Sequence, residues 1–365
     1  MEVKDVEKII IYGLGEGYEL SASYLTKTFN VVGFSDRVEA EIEKYVKPCE
    51  IHKVQFDYIV VTSNKYYEEI RRELVTDHQV PLHKIVTVNE LIASICNARN
   101  AMARSTSITD DDIYPFFAQK AAKYEYIFNT FRLSPIIRRI YEHVSKENGW
   151  RLIDIIDSNA DVKFSSENWE RFIKNDQFGD PEKFEYIINN SGGGVNIAPT
   201  TLRYVKVLQD ILCLYEKENI KTIAEIGIGY GGQCRIVMDY LKNREYSLID
   251  LPEVLGLAKV YLSKFVIPGE IYYVDGTRDM PRKEYDLVIS NYAFSELNRD
   301  VQNFYLGRVI DTSKAGYITW NSLSFKKLGG YSVKELLDRI PGASVIEEEP
   351  LTALDNCVIV WGTAK

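Results

Sequence analysis

Twice in this chain an apolar run ends in alternating glycines and is followed, at one fixed distance, by an aspartate. "IIIYGLGEGY" runs from Ile9 to Tyr18 and "IAEIGIGYGG" from Ile223 to Gly232. Asp36 stands 21 positions after Gly15, and Asp250 stands 21 positions after Gly229. In a strand–turn–helix–strand unit of this length, glycines let the backbone approach a ligand and the helix N-terminus adds donors. An acid at about this offset is where a ribose diol is held. Two parallel strands joined through a helix need such a crossover, so each run predicts a parallel sheet.

The surrounding pattern extends both units. Residues 6–95 alternate strand and helix: "KIIIYG", "NVVGFSD", "FDYIVVTSN" and "KIVTV" read as strands, "YELSASYLTKTF" and "KYYEEIRRELVTDH" as helices. Apolar strands between helices of this length imply a sheet covered on both faces. The polar run "NARNAMARSTSITDDD" marks a boundary. A mainly helical stretch follows from Ile113 to Asn190, and "APTTLRYVKVLQDILCLYEKEN" reads as a helix with Thr200 or Thr201 as N-cap. From "TIAEIGIG" onward strand and helix alternate again, to an ending, "SVIEEEPLTALDNCVIVWGT", that leaves no room for a helix between two β-rich runs. That ending requires an antiparallel pair. The expected fold class is therefore α/β, with two Rossmann-like parallel-sheet domains joined by a helical segment. The expected domains are 1–97, a small Rossmann-like unit; 98–200, a helical linker and acceptor-binding cap; and 201–365, a second sheet ending in an antiparallel hairpin.

Composition narrows the function. A chain of 365 residues exceeds one ordinary core. A net charge of −9 argues against a nucleic-acid partner, which needs clustered positive charge. The longest apolar runs, Tyr58–Thr62 and Val358–Trp361, are too short to span a bilayer, and residues 1–20 lack a secretory pattern. Five scattered cysteines without a CxxC pair suit a reducing cytoplasm and support no structural zinc site. The 25 Tyr, 15 Phe and 4 Trp suit carbohydrate contacts beyond core packing.

Three details separate the glycine turns. Gly227, Gly229 and Gly232 fit GxGxxG, whereas Tyr18 takes the place of a third glycine in the first turn. Glu225, two residues before Gly227, suits a cationic α-amino group and is awkward beside a pyrophosphate. A parallel sheet with an antiparallel ending is, finally, the arrangement of S-adenosylmethionine-dependent methyltransferases. On "AEIGIGYGG", "YSLIDLPEV", "YDLVISNYAFSEL" and "PTTLRY", residues 110–365 resemble the putative sugar O-methyltransferase family of bacterial polysaccharide clusters. The first 95 residues resemble, more loosely, nucleotide-binding-like domains fused to sugar-modifying enzymes.

The resemblance implies a class I methyltransferase fold and S-adenosylmethionine as cofactor. Glu225, Gly227 and Gly229 would line the methionine moiety, Asp250 the ribose hydroxyls, Asp275 with Gly276 the adenine, and Ser290 with Asn291 the floor under the sulfonium. Asp250 also reads as a turn acid before Pro252, and Asp275 as part of an Asp-Gly turn. Arg203 is placed for the cofactor carboxylate, or is an exposed helix arginine. Sugar hydroxyls need a proton acceptor or a metal. No histidine lies in residues 150–365, so unless His143 folds over from the helical segment the base is a carboxylate, tyrosine or lysine. Glu296 is the first candidate, then Asp176 and Tyr292. Trp169, Phe178 and Phe184 either stack on a sugar ring or pack in the core. Expected partners are a sugar or nucleotide-sugar acceptor. The "GLGEG" turn and Asp36 read either as a nucleotide site or as a ligand-free scaffold or subunit contact, which leaves a homodimer open. Two other classes remain: an NAD-dependent oxidoreductase acting on a nucleotide-sugar, and a non-catalytic cofactor-binding scaffold.

Overall fold

The structure, a computed structural model, describes residues 6–96, 110–188, 193–322 and 327–363. It is mixed α/β and divides into two compact units, Met1–Glu142 with Phe178–Pro181, and His143–Gln177 with Glu182–Lys365. The segment 98–200, expected as one cap, is thus shared between the two. Most of the polar run read as a boundary, 97–109, lies outside the described residues.

In the first unit β1 (Lys8–Tyr12), β2 (Asn30–Ser35), β3 (Tyr58–Val61) and β4 (Ile85–Thr87) form a parallel sheet in the order β2-β1-β3-β4. Ile9, Ile10, Ile11, Ile59, Val60 and Val61 are completely buried, as continuous apolar strands require when both faces are covered. The helix Tyr67–Thr76 turns Ile70 and Leu74 into that core. Val88–Ile95 opens on a reciprocal Thr87–Glu90 capping box.

The second unit starts with helices Lys146–Ser158 and Ser166–Phe172, each capped by a serine side chain. Within the stretch read as helical, Phe184–Ile188 is instead a strand, β5, paired antiparallel with β6 (Gly193–Ile197) in a two-stranded ribbon. The sequence "FEYII" does alternate, with Tyr186 and Ile188 buried and Glu185 and Ile187 exposed. Its partner "GGVNI" has too little β-propensity to be legible. The helix Pro199–Leu214 also begins earlier than expected. Its N-cap is Ala198, Pro199 takes the first helical position, and Thr200 and Thr201 are buried within the first turn.

The main sheet contains β7 (Thr222–Ile226), β8 (Arg244–Asp250), β9 (Gly269–Asp275), β10 (Tyr285–Asn291), β11 (Ser313–Trp320), β12 (Ser344–Glu347) and β13 (Cys357–Trp361). Its order is β12-β13-β11-β10-β7-β8-β9. Strands β7 to β11 pair in parallel, and β13 runs antiparallel to both β11 and β12. The antiparallel ending read from the sequence is therefore present. Ile226, Ile249, Val288, Ile318, Trp320 and Ile359 meet in the core beneath it. With β10, β7, β8 and β9 adjacent and parallel, the four loops at their carboxyl ends share one edge.

Candidate active site

The β7 strand is buried from Ile223 to Ile226, and the chain turns at Gly227 with φ +75°. A methyl group there would lie 2.0 Å from Ala293 Cβ, so neither the dihedral nor the space admits a side chain. Gly231, at φ +87°, leads into the helix Gly232–Leu241. Asp250, at the end of β8, clasps this turn. Its Oδ2 accepts from Ile228 N at 2.8 Å and its Oδ1 from Leu251 N at 2.7 Å. A third amide, Gly229 N, also bonds this carboxylate. Burial pushes the Asp250 carboxyl up to about 6, against the pull of those amides.

Glu225 is 2% exposed and accepts from the Tyr246 hydroxyl at 2.8 Å. Burial drives its carboxyl up to about 8. Among the described residues no lysine or arginine is paired with Glu225 or Asp250. The turn therefore has two carboxyl groups and no compensating cation.

Neighbouring strand ends complete the edge. Gly276 N donates to Asp250 O at 2.9 Å, which sets the Asp275–Gly276 pair beside the clasp. Asp275 itself accepts from Thr277 N and Oγ1 and pairs with Arg278 at 2.8 Å; the Thr277 hydroxyl is the main cause of its lowered carboxyl pKa. Ser290 is completely buried, donating to Ile226 O at 2.9 Å and accepting from Phe294 N at 3.1 Å. It ties the loop after β10 to β7. Asn291 contacts Gln233 Oε1 at 3.3 Å and Thr319 Oγ1 at 3.4 Å. Gln233, with no distinguishing spacing in the sequence, holds Asn291 from the helix behind the glycine turn.

Beyond β10 and β11 lies a cleft of about 160 Å³ whose lining includes His143, Arg203, Asn291, Tyr292, Thr319 and Glu348. Tyr292 adopts φ +66°, a conformation that costs a non-glycine residue energy and that clusters at functional positions. Its hydroxyl donates to the buried Glu348, and burial raises its pKa to about 12. The Arg203 guanidinium lies over the Tyr292 ring at 5.5 Å and reaches His143 Nε2 at 3.3 Å. Arg203 thus belongs to the cleft, and His143 does fold over from the segment before the core. Glu348, inside "EEEP", carried no sequence signal.

The other candidate bases are placed elsewhere. Asp176 is buried, and its two oxygens accept from Ala198 N and Thr201 Oγ1, both at 2.6 Å. A carboxylate at a helix N-terminus is stabilising there, so Asp176 anchors the helix that carries Arg203. Glu296 is exposed, accepts from Asn321 Nδ2 at 2.8 Å, and does not line the cleft. Trp169 packs in the core against Phe164 and Phe172. Phe178 belongs to the first unit, against Phe128, and Phe184 lies under Lys146.

Residues 5–86 match a family model described as "C2185-like, N-terminal". No curated protein matches the chain. Among solved structures, mitomycin 7-O-methyltransferase is 18% identical over 45% of this chain and 54% of its own, with a TM-score of 0.35. Human N-acetylserotonin methyltransferase, in complex with S-adenosylmethionine, is 16% identical over 44% and 54%, TM-score 0.33. The N-methyltransferase NodS from Bradyrhizobium japonicum is 11% identical over 43% and 92%, TM-score 0.34. The matched region spans about half the length of the first two.

Proposed function

We propose that the chain is an S-adenosylmethionine-dependent methyltransferase acting on a hydroxyl of a sugar or nucleotide-sugar in glycan biosynthesis. The observation that carries this reading is the glycine turn after β7 with Glu225 and Asp250 beside it and no paired cation. The buried Glu225 carboxyl offers a pyrophosphate no cation, whereas an ammonium group would draw Glu225 into its charged form and a ribose diol suits Asp250. The parallel sheet with its antiparallel ending supports the same class. Glu225, Gly227 and Gly229 would hold the methionine end, Asp250 the ribose, and Asp275 with Gly276 the adenine. Asn291 would lie beneath the sulfonium, with Ser290 fixing the loop. Arg203 is proposed for the acceptor side rather than for the cofactor carboxylate, because it stacks on Tyr292.

When bound, the cofactor supplies a methyl group already activated by positive sulfur, so the residues' task is mainly to position the acceptor and take its proton. Metal-independent transfer in a reducing cytoplasm is part of the proposal. Among the described residues no cluster of three His, Cys, Asp or Glu is placed to hold a metal. No helix among them is long and apolar enough to cross a membrane. We take the first unit as a Rossmann-like module without a phosphate ligand, since Glu16 and Glu19 occupy the first turn of its helix.

Calorimetry on the full chain with S-adenosylmethionine, NAD and UDP-sugars tests the reading. Binding of S-adenosylmethionine at a single site is expected. NAD binding in its place would make the chain an oxidoreductase, and loss of transfer with a chelator would bring a divalent metal into the mechanism.

A further inference from the structure

Glu225 has one occupied oxygen and one open one. Its Oε2 accepts from Tyr246, and among the described residues its Oε1 has no hydrogen bond. The titratable groups facing it are the Tyr246 hydroxyl and the Asp250 carboxyl from β8, and the Cys234 thiol from the helix Gly232–Leu241. On its other side β10 places Ile289 against it, which carries no charge. An ionised Glu225 would be a buried anion with one neutral donor and a second carboxyl beside it. The empty site therefore keeps Glu225 protonated. Burial holds that proton up to about 8.

A ligand reverses this preference only by bringing a cation. An α-ammonium offers Oε1 three donors and a full positive charge, and an opposite charge beside a carboxyl favours its ionised form. Asp250 does not take that part. Three backbone amides, from Ile228, Gly229 and Leu251, already bond it and favour its ionised form without any ligand.

We propose that this turn binds its cofactor by exchange: the α-ammonium replaces the proton of Glu225, and one proton leaves for each cofactor bound. The proposal rests on the methyltransferase reading above. The Glu225 O–H bond breaks, its proton passes to the solvent buffer, and the carboxylate keeps the electron pair and bonds the ammonium. No bond within the cofactor changes. Glu225 is then a specificity-determining residue, selecting ligands whose adenosine carries an amino-acid end. Affinity rises with pH while Glu225 has a proton to lose. It falls once the ligand's own amine, with a pKa of about 7.7–8.0, arrives neutral. S-adenosylhomocysteine has the same amine, so it follows the same profile.

Calorimetry on the full chain in buffers of different ionisation enthalpy counts the protons. At pH ~6.5, S-adenosylmethionine and S-adenosylhomocysteine are each expected to release close to one. Near pH ~8 the count should pass through zero, and by pH ~9 it should become an uptake of close to one. Wild-type affinity for S-adenosylhomocysteine should climb roughly 5–10-fold between pH ~6.5 and ~8. Methylthioadenosine, which keeps the adenosine and the sulfur but lacks the amine, should bind more weakly and release none. Glu225→Gln retains an acceptor for Tyr246, and in this variant both the release and the climb in affinity should vanish. A wild-type chain that binds either ligand without releasing a proton at pH ~6.5 overturns the proposal. So does methylthioadenosine that releases as many, or a folded Glu225→Gln chain that still releases one. Should that variant not fold, the wild-type counts decide alone. Failure of the wild-type chain to bind S-adenosylmethionine would instead overturn the methyltransferase reading itself.

Discussion

The two glycine turns share a clasp and differ in what surrounds it. In the first, Leu14 N donates to Asp36 Oδ2 at 2.7 Å and Gly13 N to Ser35 O at 2.9 Å. In the second, Ile228 N donates to Asp250 Oδ2 at 2.8 Å and Gly227 N to Ile249 O at 3.1 Å. An aspartate ending the second strand of such a unit therefore serves the turn itself before it serves any ligand. Around the second clasp lie a buried glutamate and a glycine pressed on Ala293. Around the first, Glu16 opens the helix, the Tyr18 ring packs on Phe34, and Gly17 is pressed on the Thr62 carbonyl, whose oxygen would lie 2.1 Å from an added Cβ. The spacing thus identifies a fold unit, and the neighbouring charges decide what it can hold.

The largest contrast should come from the glycines. Gly227→Ala is expected to destabilise the second unit by about 3 kcal/mol or more, through the Ala293 clash and the positive φ. Gly15→Ala, at φ −87° with nothing near, should stay within about 0.5 kcal/mol of wild type. Denaturant titrations of both variants check this. Equal losses would mean that Ala293 and the positive φ do not constrain Gly227.

Next come the clasps. Asp250→Ala should weaken S-adenosylmethionine binding by roughly 1.5–3 kcal/mol, the scale of a hydrogen bond to a charged group. It should also cost some stability, because Ile228 N and Leu251 N lose their acceptor. Asp36→Ala should leave the affinity unchanged. Calorimetry that showed the reverse order would move the cofactor to the first turn.

Glu225 sharpens the comparison through pH. An ordinary glutamate titrates near ~4.3, whereas in the folded, empty chain Glu225 holds its proton up to about 8. Between those values the folded state is protonated and the unfolded state is not. This group's contribution therefore falls as pH rises and levels off above about 8. Glu225→Gln removes that slope, so its Tm relative to wild type should climb from pH ~5 to ~9 while cofactor binding weakens. A Tm difference that stays flat over that range sinks the assignment of Glu225 as a strained ligand group.

The smallest effect is expected at Glu16, whose charge faces a helix N-terminus. Glu16→Gln should cost about 0.3–1 kcal/mol at low salt and leave cofactor affinity alone. A fall in that affinity would link the first turn to the site.

Much was legible in the residues because it depends on neighbours close in sequence. The strands, the glycine-to-aspartate interval and the antiparallel ending all follow from apolar runs and turn residues acting over a few positions. That local grammar also brought Glu225, Asp250, Gly276 and Asn291 to one sheet edge, since parallel strands with helical crossovers must place their carboxyl ends together. It could not say which carboxylate was already engaged. Asp176 meets Thr201 25 residues away, Glu296 meets Asn321 at the same separation, and Ser290 reaches Ile226 across 64. Nor could it say that His143 meets Arg203, 60 residues on, beside a Tyr292 held in left-handed backbone. Side-chain partners at such separations are chosen by how helices and strands pack, and one residue's periodicity carries no trace of its distant partner.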